Sequence, residues 1–235
     1  MADTDTIPSI LDGIGMLTRV LEPELMDSEQ EVIDYDSMDH VEVNRRFVAD
    51  LIASGADLSD VLDLGTGTAQ IPIELCRTVE NARLTGVDAA ANMLRAGKNN
   101  VANGDLPDRI ELQLADAKQL PYAAGRFSTV MSNSIVHHIP NPLAVLEEAV
   151  RVCAPEGTLF FRDLMRPDDV ATLDHLVATY AADANKHQRQ MFRDSLHAAL
   201  TLDEIRGLIS SLGFPRETVV TTSDRHWTWT AQKQA

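Results

Sequence analysis

Short apolar runs alternate with amphipathic stretches over residues 55–165 of the chain. The runs that predict strands are Val61–Leu64, Leu84–Val87, Ile110–Leu114, Thr129–Met131 and Gly157–Phe161. The stretches that predict helices between them are Ile71–Val79, Asn92–Val101 and Pro142–Val152. This alternation predicts an α/β fold with a doubly wound, mostly parallel sheet and helices on both faces.

The segments on either side of this core follow other patterns. Residues 1–54 predict short helices, of which Val41–Ala53 is the clearest, and we expect them to form a helical cap or lid. Residues 166–235 predict a helical insertion and then a hairpin of two strands, Glu217–Thr222 and Trp227–Ala231. A hairpin added to a parallel sheet makes one strand antiparallel. We therefore expect a single domain over residues 1–235.

The acidic net charge of the chain argues against two classes of partner. Among 235 residues there are 20 Lys and Arg against 36 Asp and Glu, so the formal net charge is −16. An acidic surface repels phosphate backbones and anionic lipids, so we expect no nucleic-acid or membrane partner. The first residues carry acids where a signal peptide has Lys or Arg. We expect a cytoplasmic protein in which Cys76 and Cys153 stay reduced.

Two glycines directly follow the first predicted strand, in Val61-Leu-Asp-Leu-Gly-Thr-Gly-Thr-Ala69. Gly65 and Gly67 allow a sharp turn and the close approach of a ligand to the backbone. The helix that follows offers free N–H groups to an anionic group such as a carboxylate. The motif therefore predicts a ligand site, although a tight strand–helix turn without a ligand can have the same sequence.

Polar residues stand at the ends of the next three predicted strands. Asp88 ends the second strand, 21 residues after Gly67, where a carboxylate can accept hydrogen bonds from both hydroxyls of a ribose or can cap a helix. Asp116 follows the third strand and Asn133 the fourth. Parallel strands deliver their carboxyl ends to one edge, where ligands bind in this architecture. The four strand ends therefore predict one shared site.

These motifs, in this order and spacing, resemble those of the class I S-adenosylmethionine-dependent methyltransferases. The resemblance covers about residues 55–165 and implies a seven-stranded Rossmann-like sheet that binds S-adenosylmethionine and releases S-adenosylhomocysteine. It implies that Asp88 holds the ribose and that Asn133 lies beside the sulfonium. The cofactor-binding set that it implies is Tyr35, Asp63, Gly65, Thr66, Gly67, Asp88, Ala89, Met93, Asp116, Ala117 and Asn133. One departure is Ala69, where the family often has a third glycine.

Two other functions compete with methyl transfer. A nicotinamide dehydrogenase carries a third glycine three residues after the second, where this chain has Gln70. A degenerate relative could bind S-adenosylmethionine without turnover, as a sensor or partner subunit. The motifs disfavour the dehydrogenase, and they predict cofactor binding in both remaining cases.

The candidate catalytic residues are His137, His138 and Asp163. The two histidines follow the fourth strand, where a neutral imidazole could take a proton from an oxygen or thiol acceptor. Spacing marks no third ligand beside the histidine pair, so no metal site is predicted. Asp163 follows the fifth predicted strand, and with Arg162 and Arg166 it could bind a charged substrate group, form an ion pair or cap a helix.

The segment Asp34–His40 precedes the sheet, and in similar enzymes such a segment covers the cofactor. We expect Tyr35 or Met38 to lie over the bound cofactor, or else to pack on the edge of the sheet. The acceptor is expected to be a small molecule, and the protein a monomer or a homodimer.

Overall fold

A computed structural model describes residues 17–23, 27–37 and 40–234 of the chain. Seven strands form one sheet: β1 (Val61–Leu64), β2 (Leu84–Asp88), β3 (Ile110–Leu114), β4 (Phe127–Asn133), β5 (Cys153–Leu164), β6 (Val219–Ser223) and β7 (His226–Gln232). The helices are α1 (Glu29–Asp36), α2 (Val41–Ala53), α3 (Gln70–Thr78), α4 (Ala91–Asn103), α5 (Pro142–Val152), α6 (Val170–Tyr180), α7 (Lys186–Ala198) and α8 (Leu202–Ser211). Short 3-10 turns span Val136–His138 and Arg216–Thr218. Met38 lies outside the described residues.

The strand order is β3-β2-β1-β4-β5-β7-β6. Strands β1 to β5 are mutually parallel, and β7 pairs antiparallel with both β5 and β6. β1 lies between β2 and β4, so the chain leaves β1 in one direction and returns on its other side at β4. The predicted doubly wound, seven-stranded sheet with an antiparallel strand is confirmed, and it has its switch point beside β1.

Helices cover both faces of the sheet because alternate strand residues point to opposite sides. Val61 belongs to a buried cluster that contains Phe47 of α2, whereas the adjacent Leu62 belongs to a second cluster with Leu146 of α5. Both tryptophans of β7 lie in the second cluster and are fully buried. One hydrophobic core therefore packs on each face of the sheet. Both cysteines are buried free thiols.

The fifth strand is longer than its predicted bounds, Gly157–Phe161. Its pairing with β7 continues past Phe161, with Arg162 opposite Thr228 and Asp163 opposite Trp227. Arg162 and Asp163 are therefore inside the strand, and the prediction that they follow it is wrong. The apolar pattern stops at Phe161 because these two polar side chains are buried by specific partners.

The turn after β1 has the backbone that its glycines predict. Gly65 and Gly67 have φ values of 70° and 54°, and Ala69 has a φ of 63°. All three lie in the left-handed region, which alanine adopts only at a cost because of its Cβ atom. Ala69 therefore occupies a position with the backbone of a glycine, and this explains why glycine is frequent there in similar sequences.

Gly86 in β2 offers a sharp test of how this turn is packed. A Cβ atom there would lie 2.6 Å from Oγ1 of Thr66 and 2.8 Å from Cδ2 of Leu112. We expect Gly86→Ala to lower the free energy of unfolding by about 1–3 kcal/mol, because the crowded neighbours must move. Gly207 in α8 is the contrasting position, since it is exposed and a Cβ atom on it would meet no other atom within 4 Å.

The matched variant Gly207→Ala should raise the free energy of unfolding by about 0.5–1 kcal/mol, since alanine favours the helix. Urea denaturation of both variants measures the difference. Equal and small effects at the two positions would show that the turn is not tightly packed against β2.

Candidate active site

A cavity opens at the carboxyl end of β1, between the turn that follows β1 and helix α1. Its lining comes from β1, β4, three helices and the turn: Tyr35, Asn44, Asp63, Gly65, Thr66, Thr68, Gln70, Ile71 and Asn133. Tyr35, Asp63, Gly65, Thr66 and Asn133 were expected to contact the cofactor, and the structure brings them together. Asn44, Thr68, Gln70 and Ile71 were not anticipated.

Helix α1 covers this cavity. The ring of Tyr35 lies 3.9 Å from the position of a Cβ atom on Gly67. Val32 of α1 packs against Ala90 and Met93 at the start of α4. Just before α1, Asp27 accepts a hydrogen bond of 2.7 Å from the backbone N–H of Asn92. These contacts hold Tyr35 above the glycine turn.

A chain of polar side chains ties α1 to helices α2, α3 and α4. Oδ1 of Asp36 accepts hydrogen bonds from the amides of Gln70 and Asn100, both at 3.1 Å. The Gln70 amide oxygen in turn accepts from Nδ2 of Asn44 at 3.2 Å. Gln70 thus links α1, α2 and α3, which is a role that a glycine at its position could not have. Asn44 had one sequence signal, because it is polar on the apolar face of α2.

Asp88 binds the backbone of the glycine turn and the backbone at the start of α4. Oδ2 accepts from the N–H of Gly67 at 2.8 Å, and Oδ1 accepts from the N–H of Ala90 at 2.8 Å. Burial raises the pKa of this carboxyl, although the backbone donors oppose the shift. The carboxylate therefore already caps the backbone near α4, and each oxygen retains a further lone pair for a hydroxyl donor.

Asp63 is the most electrostatically unusual group in the cavity. Its carboxyl is buried near the end of β1. This burial raises its pKa to about 7; the hydroxyl of Thr66 opposes the shift, and the negative charge of Asp88 adds to it. Burial and the same carboxylates raise the pKa of Tyr35 to about 12. A buried carboxylate with so little compensation fits a ligand that brings positive charge.

The remaining expected cofactor residues lie further along the same edge. Ala117 and Met93 are buried, whereas Ala89 and Asp116 are exposed. Oδ1 of Asp116 accepts from the backbone N–H of Lys118 at 2.9 Å. These four residues do not line the cavity, and they flank the carboxyl ends of β2 and β3, where the sequence places them.

The candidate catalytic residues form a second cluster beyond β4. Oδ1 of Asp163 lies 2.5 Å from Nδ1 of His137, and Oδ2 accepts from the backbone N–H of Val136 at 2.6 Å. Oδ1 also accepts from the N–H of Leu164 at 2.6 Å. Asp163 is 1% exposed, so this carboxylate is fully occupied by the protein. It fixes the 3-10 turn that carries both histidines.

The charges in this cluster are strongly coupled. Burial would lower the pKa of His137, but Asp163 and Glu22 outweigh it, so the pKa is raised. Burial and the neighbouring His137 lower the pKa of His138 to about 3. Burial would raise the pKa of Asp163, but the contact with His137 lowers it. Glu22 was not anticipated, because nothing in its sequence surroundings marks it as a site residue.

The two arginines considered for substrate binding are occupied by protein groups. Arg162 contacts Asp50 at 2.7 Å and donates from Nε to Thr228 at 2.9 Å. Arg166 contacts Glu204 at 2.6 Å and donates to the backbone of Ala199 at 2.9 Å. Of the interpretations that the sequence allowed, the geometry favours ion pairing for both arginines.

Residues 62–161 match a protein family described as a methyltransferase domain. The chain is 32% identical to the malonyl-[acyl-carrier protein] O-methyltransferase of Geobacter sulfurreducens over 183 residues, which are 77% of this chain and 66% of that protein. It is 32% identical to the demethylmenaquinone methyltransferase of Desulfitobacterium hafniense over 108 residues, which are 46% of this chain and 43% of that protein. The chain thus spans about two thirds or less of these curated relatives.

The fold is shared with solved methyltransferase structures. The plantazolicin methyltransferase in complex with S-adenosylhomocysteine aligns with a TM-score of 0.67 and 17% identity, over 88% of this chain and 91% of that chain. Fold and motifs together define a Rossmann-like methyltransferase. The chain belongs to the class I S-adenosylmethionine-dependent methyltransferases.

The raised pKa of Asp63 predicts a dependence of stability on pH. In the unfolded chain an aspartate titrates near pH 4, so the cost of burying the charge grows from about pH 4 to pH 7 and is complete above pH 7. Asp63→Asn should therefore be more stable than the wild type at pH 8, on the order of 1–3 kcal/mol, and the gain should shrink towards pH 4.

Urea denaturation at pH 4.5 and at pH 8 measures this effect. The control variant is Asp108→Asn, at an exposed position. The control should show no comparable change with pH. A gain for Asp63→Asn that is the same at both pH values would mean that the carboxyl titrates normally.

Proposed function

We propose that this protein transfers a methyl group from S-adenosylmethionine to a small-molecule acceptor and releases S-adenosylhomocysteine. The observation that carries the proposal is the cavity at the end of β1, where the buried carboxylate of Asp63 meets the glycine turn and Asn133 under the ring of Tyr35. The family supports the same activity, and its relatives include an O-methyltransferase and a demethylmenaquinone methyltransferase.

The residues present fit this cofactor. S-adenosylmethionine carries a sulfonium and an ammonium group, and the weakly compensated carboxylate of Asp63 suits positive charge. A Cβ atom on Gly65 would lie 2.8 Å from Cδ1 of Ile135, so the backbone at this turn leaves room only for glycine. Asp63, Gly65, Thr66, Gly67 and Asn133 would hold the methionine end of the cofactor.

The nucleoside end would lie along β2 and β3. Asp88 would accept hydrogen bonds from the ribose hydroxyls, with Ala89 and Met93 beside it. Asp116 and Ala117 would face the adenine. When bound, the cofactor supplies an electrophilic methyl group.

The chain's own contribution to catalysis is positioning. Methyl transfer needs an in-line arrangement of acceptor, carbon and sulfur, and holding that arrangement removes much of the barrier. The lid helix α1 excludes water above the turn. Exclusion of water strengthens the electrostatic interactions between the site and the bound cofactor. An acceptor that loses a proton also needs a base.

His137, His138 and Asp163 remain the candidates for chemistry beside the acceptor. Asp163 acts as a positioning residue in this proposal, because both of its oxygens are occupied and buried. His137 faces a carboxylate on either side, since its Nε2 lies 3.4 Å from Oε1 of Glu22. His138, at 16% exposure, is the more accessible of the two histidines.

The finer assignments belong to the same proposal. We place the protein in the cytoplasm, where the buried thiols of Cys76 and Cys153 would stay reduced. We assign it no nucleic-acid partner because of its net charge of −16, and we expect a monomer or homodimer. None of the described helices is long and apolar enough to cross a membrane.

Asp88→Asn tests the cofactor assignment. We expect its affinity for S-adenosylmethionine to fall roughly 30-fold, because hydrogen bonds from the ribose to a charged acceptor are lost or weakened. Calorimetric titration with S-adenosylmethionine, S-adenosylhomocysteine and NAD measures this, and the exposed Asp108→Asn is the control. A loss under about threefold with an intact fold would refute the ribose role. NAD binding without binding of the other two would refute the proposed function.

Turnover separates an enzyme from a binding protein. The wild-type protein is incubated with S-adenosylmethionine and a panel of small-molecule acceptors. Release of S-adenosylhomocysteine together with a methylated acceptor would support an enzyme. Tight binding with no product across O-, N-, S- and C-acceptors would favour the non-catalytic alternative.

Tyr35→Ala tests the lid. We expect about a tenfold weaker affinity for S-adenosylmethionine, equivalent to about 1.4 kcal/mol, since the cofactor loses an aromatic cover. Tyr35→Phe should keep most of the affinity if the ring is what matters. Tyr180→Ala, at an exposed tyrosine of α6, is the control. Equal affinities for Tyr35→Ala and the wild type would place Tyr35 outside the site.

A further inference from the structure

Three potential metal ligands converge beyond the end of β4. Glu22 lies in the described segment 17–23, and His137 and His138 lie in the 3-10 turn Val136–His138. Oε1 of Glu22 is 3.4 Å from Nε2 of His137 and 3.1 Å from Nδ1 of His138. All three ligand atoms lie within 4.8 Å of one another.

Two of these three atoms are buried without a hydrogen bond. Oε1 of Glu22 and Nδ1 of His138 have no hydrogen-bond partner among the described residues, although they are close to each other. A buried polar atom without a partner is costly, on the order of 1–3 kcal/mol. The cost disappears if both atoms bind a third group between them.

The other atoms of the same side chains are already fixed by the protein. Nδ1 of His137 is held by Oδ1 of Asp163 at 2.5 Å, which directs Nε2 towards Glu22. Oε2 of Glu22 accepts from the hydroxyl of Ser195 at 3.3 Å, which directs Oε1 towards the histidines. A carboxylate that orients a histidine from behind is the usual second layer of a zinc site.

The segment that carries Glu22 is itself held in place. Nε of Arg19 donates to the backbone of Ala198 at 2.6 Å, and Nη2 donates to that of Ile139 at 3.0 Å. The backbone N–H of Val20 donates to the carbonyl of His197 at 3.2 Å. Glu22 is therefore positioned by contacts on both sides of the histidine turn.

Distance and charge both suit a divalent cation. Two ligands of tetrahedral Zn²⁺, each about 2.0–2.1 Å from the ion, lie roughly 3.3 Å apart. The two separations from Glu22 are 3.4 and 3.1 Å, and the two histidine nitrogens lie within 4.8 Å of each other. The other charged groups that act on Glu22 and the two histidines are Asp163, Asp194 and Arg19. Three carboxylates against one guanidinium leave the cluster negative.

We propose that Glu22, His137 and His138 form a binding site for a divalent transition-metal ion of the zinc class, with Asp163 as the residue that orients His137. Two nitrogens and one oxygen are ligands that Zn²⁺ accepts. The ion ties the segment 17–23 to the turn after β4. Three protein ligands leave a tetrahedral ion one further position for water or a ligand atom.

The competing arrangement needs no metal. A protonated His137 could bridge the carboxylates of Asp163 and Glu22, and Glu22 would then be only its second acceptor. This arrangement leaves Nδ1 of His138 without a hydrogen bond, whereas in the proposed site Nδ1 binds the metal ion. The two arrangements differ in whether the protein takes up one ion per chain.

The test uses the full chain, treated with a chelator and then titrated with Zn²⁺ and separately with Co²⁺. We expect one ion per chain with micromolar or tighter affinity, and visible absorption of tetrahedral character for Co²⁺. Glu22→Gln and His138→Ala should each weaken Zn²⁺ binding at least tenfold. His187→Asn is the matched control, since Nε2 of His187 lies 3.6 Å from a carboxylate oxygen of Asp34 but outside the cluster.

Thermal unfolding supplies a second measurement if a variant is less stable. Zn²⁺ should raise the Tm of the wild type and of His187→Asn, and should leave the Tm of Glu22→Gln unchanged. Absence of stoichiometric binding to the wild type, or equal Zn²⁺ affinity for Glu22→Gln and the wild type, would overturn the site. Binding of S-adenosylmethionine is measured separately, so a failure of the metal proposal leaves the proposed function intact.

Discussion

The position of β1 between two parallel neighbours is the constraint on which the site depends. Val61 pairs with Leu84 of β2 on one side and with Thr129 of β4 on the other. The connections from β1 and β4 therefore leave the same edge in different directions, and a cleft opens where they part. The glycine turn, Asp63 and Asn133 all stand at this cleft because their strands end there.

A second constraint is the cost of burying charge. The fold places the carboxylates of Asp63, Asp88 and Asp163 in the last two positions of three strands, and the protein compensates the charge of each to a different degree. Asp163 is satisfied by a histidine and backbone donors, and Asp88 by two backbone donors. Asp63 is the least compensated of the three, which is why its pKa rises so far. Compensation by protein groups thus separates Asp163, whose oxygens are fully occupied, from Asp63, which suits a positively charged ligand.

Most of the fold could be predicted because its signals are local. The apolar runs marked all seven strands, the helix bounds of α2 and α5 were predicted to the residue, and Asp88 does end β2. The end of β5 was missed because Arg162 and Asp163 are buried by distant partners, Asp50 and His137. The polar contacts of Gln70 with α1 and α2 and the approach of Glu22 to the histidines join segments far apart in sequence, so no spacing rule could show them. Asn133 and the glycines were found because they stand at the carboxyl ends of strands.

The place of β7 in the sheet has a consequence for the order of assembly during synthesis. β7 lies between β5 and β6, yet it is the last of the seven strands to leave the ribosome. Until residues 226–232 are available, β5 has an open edge and β6 has no strand to pair with. An unpaired edge invites pairing with another chain. The nascent protein therefore remains exposed to aggregation until β7 pairs with β5 and β6, however early strands β1 to β5 have formed.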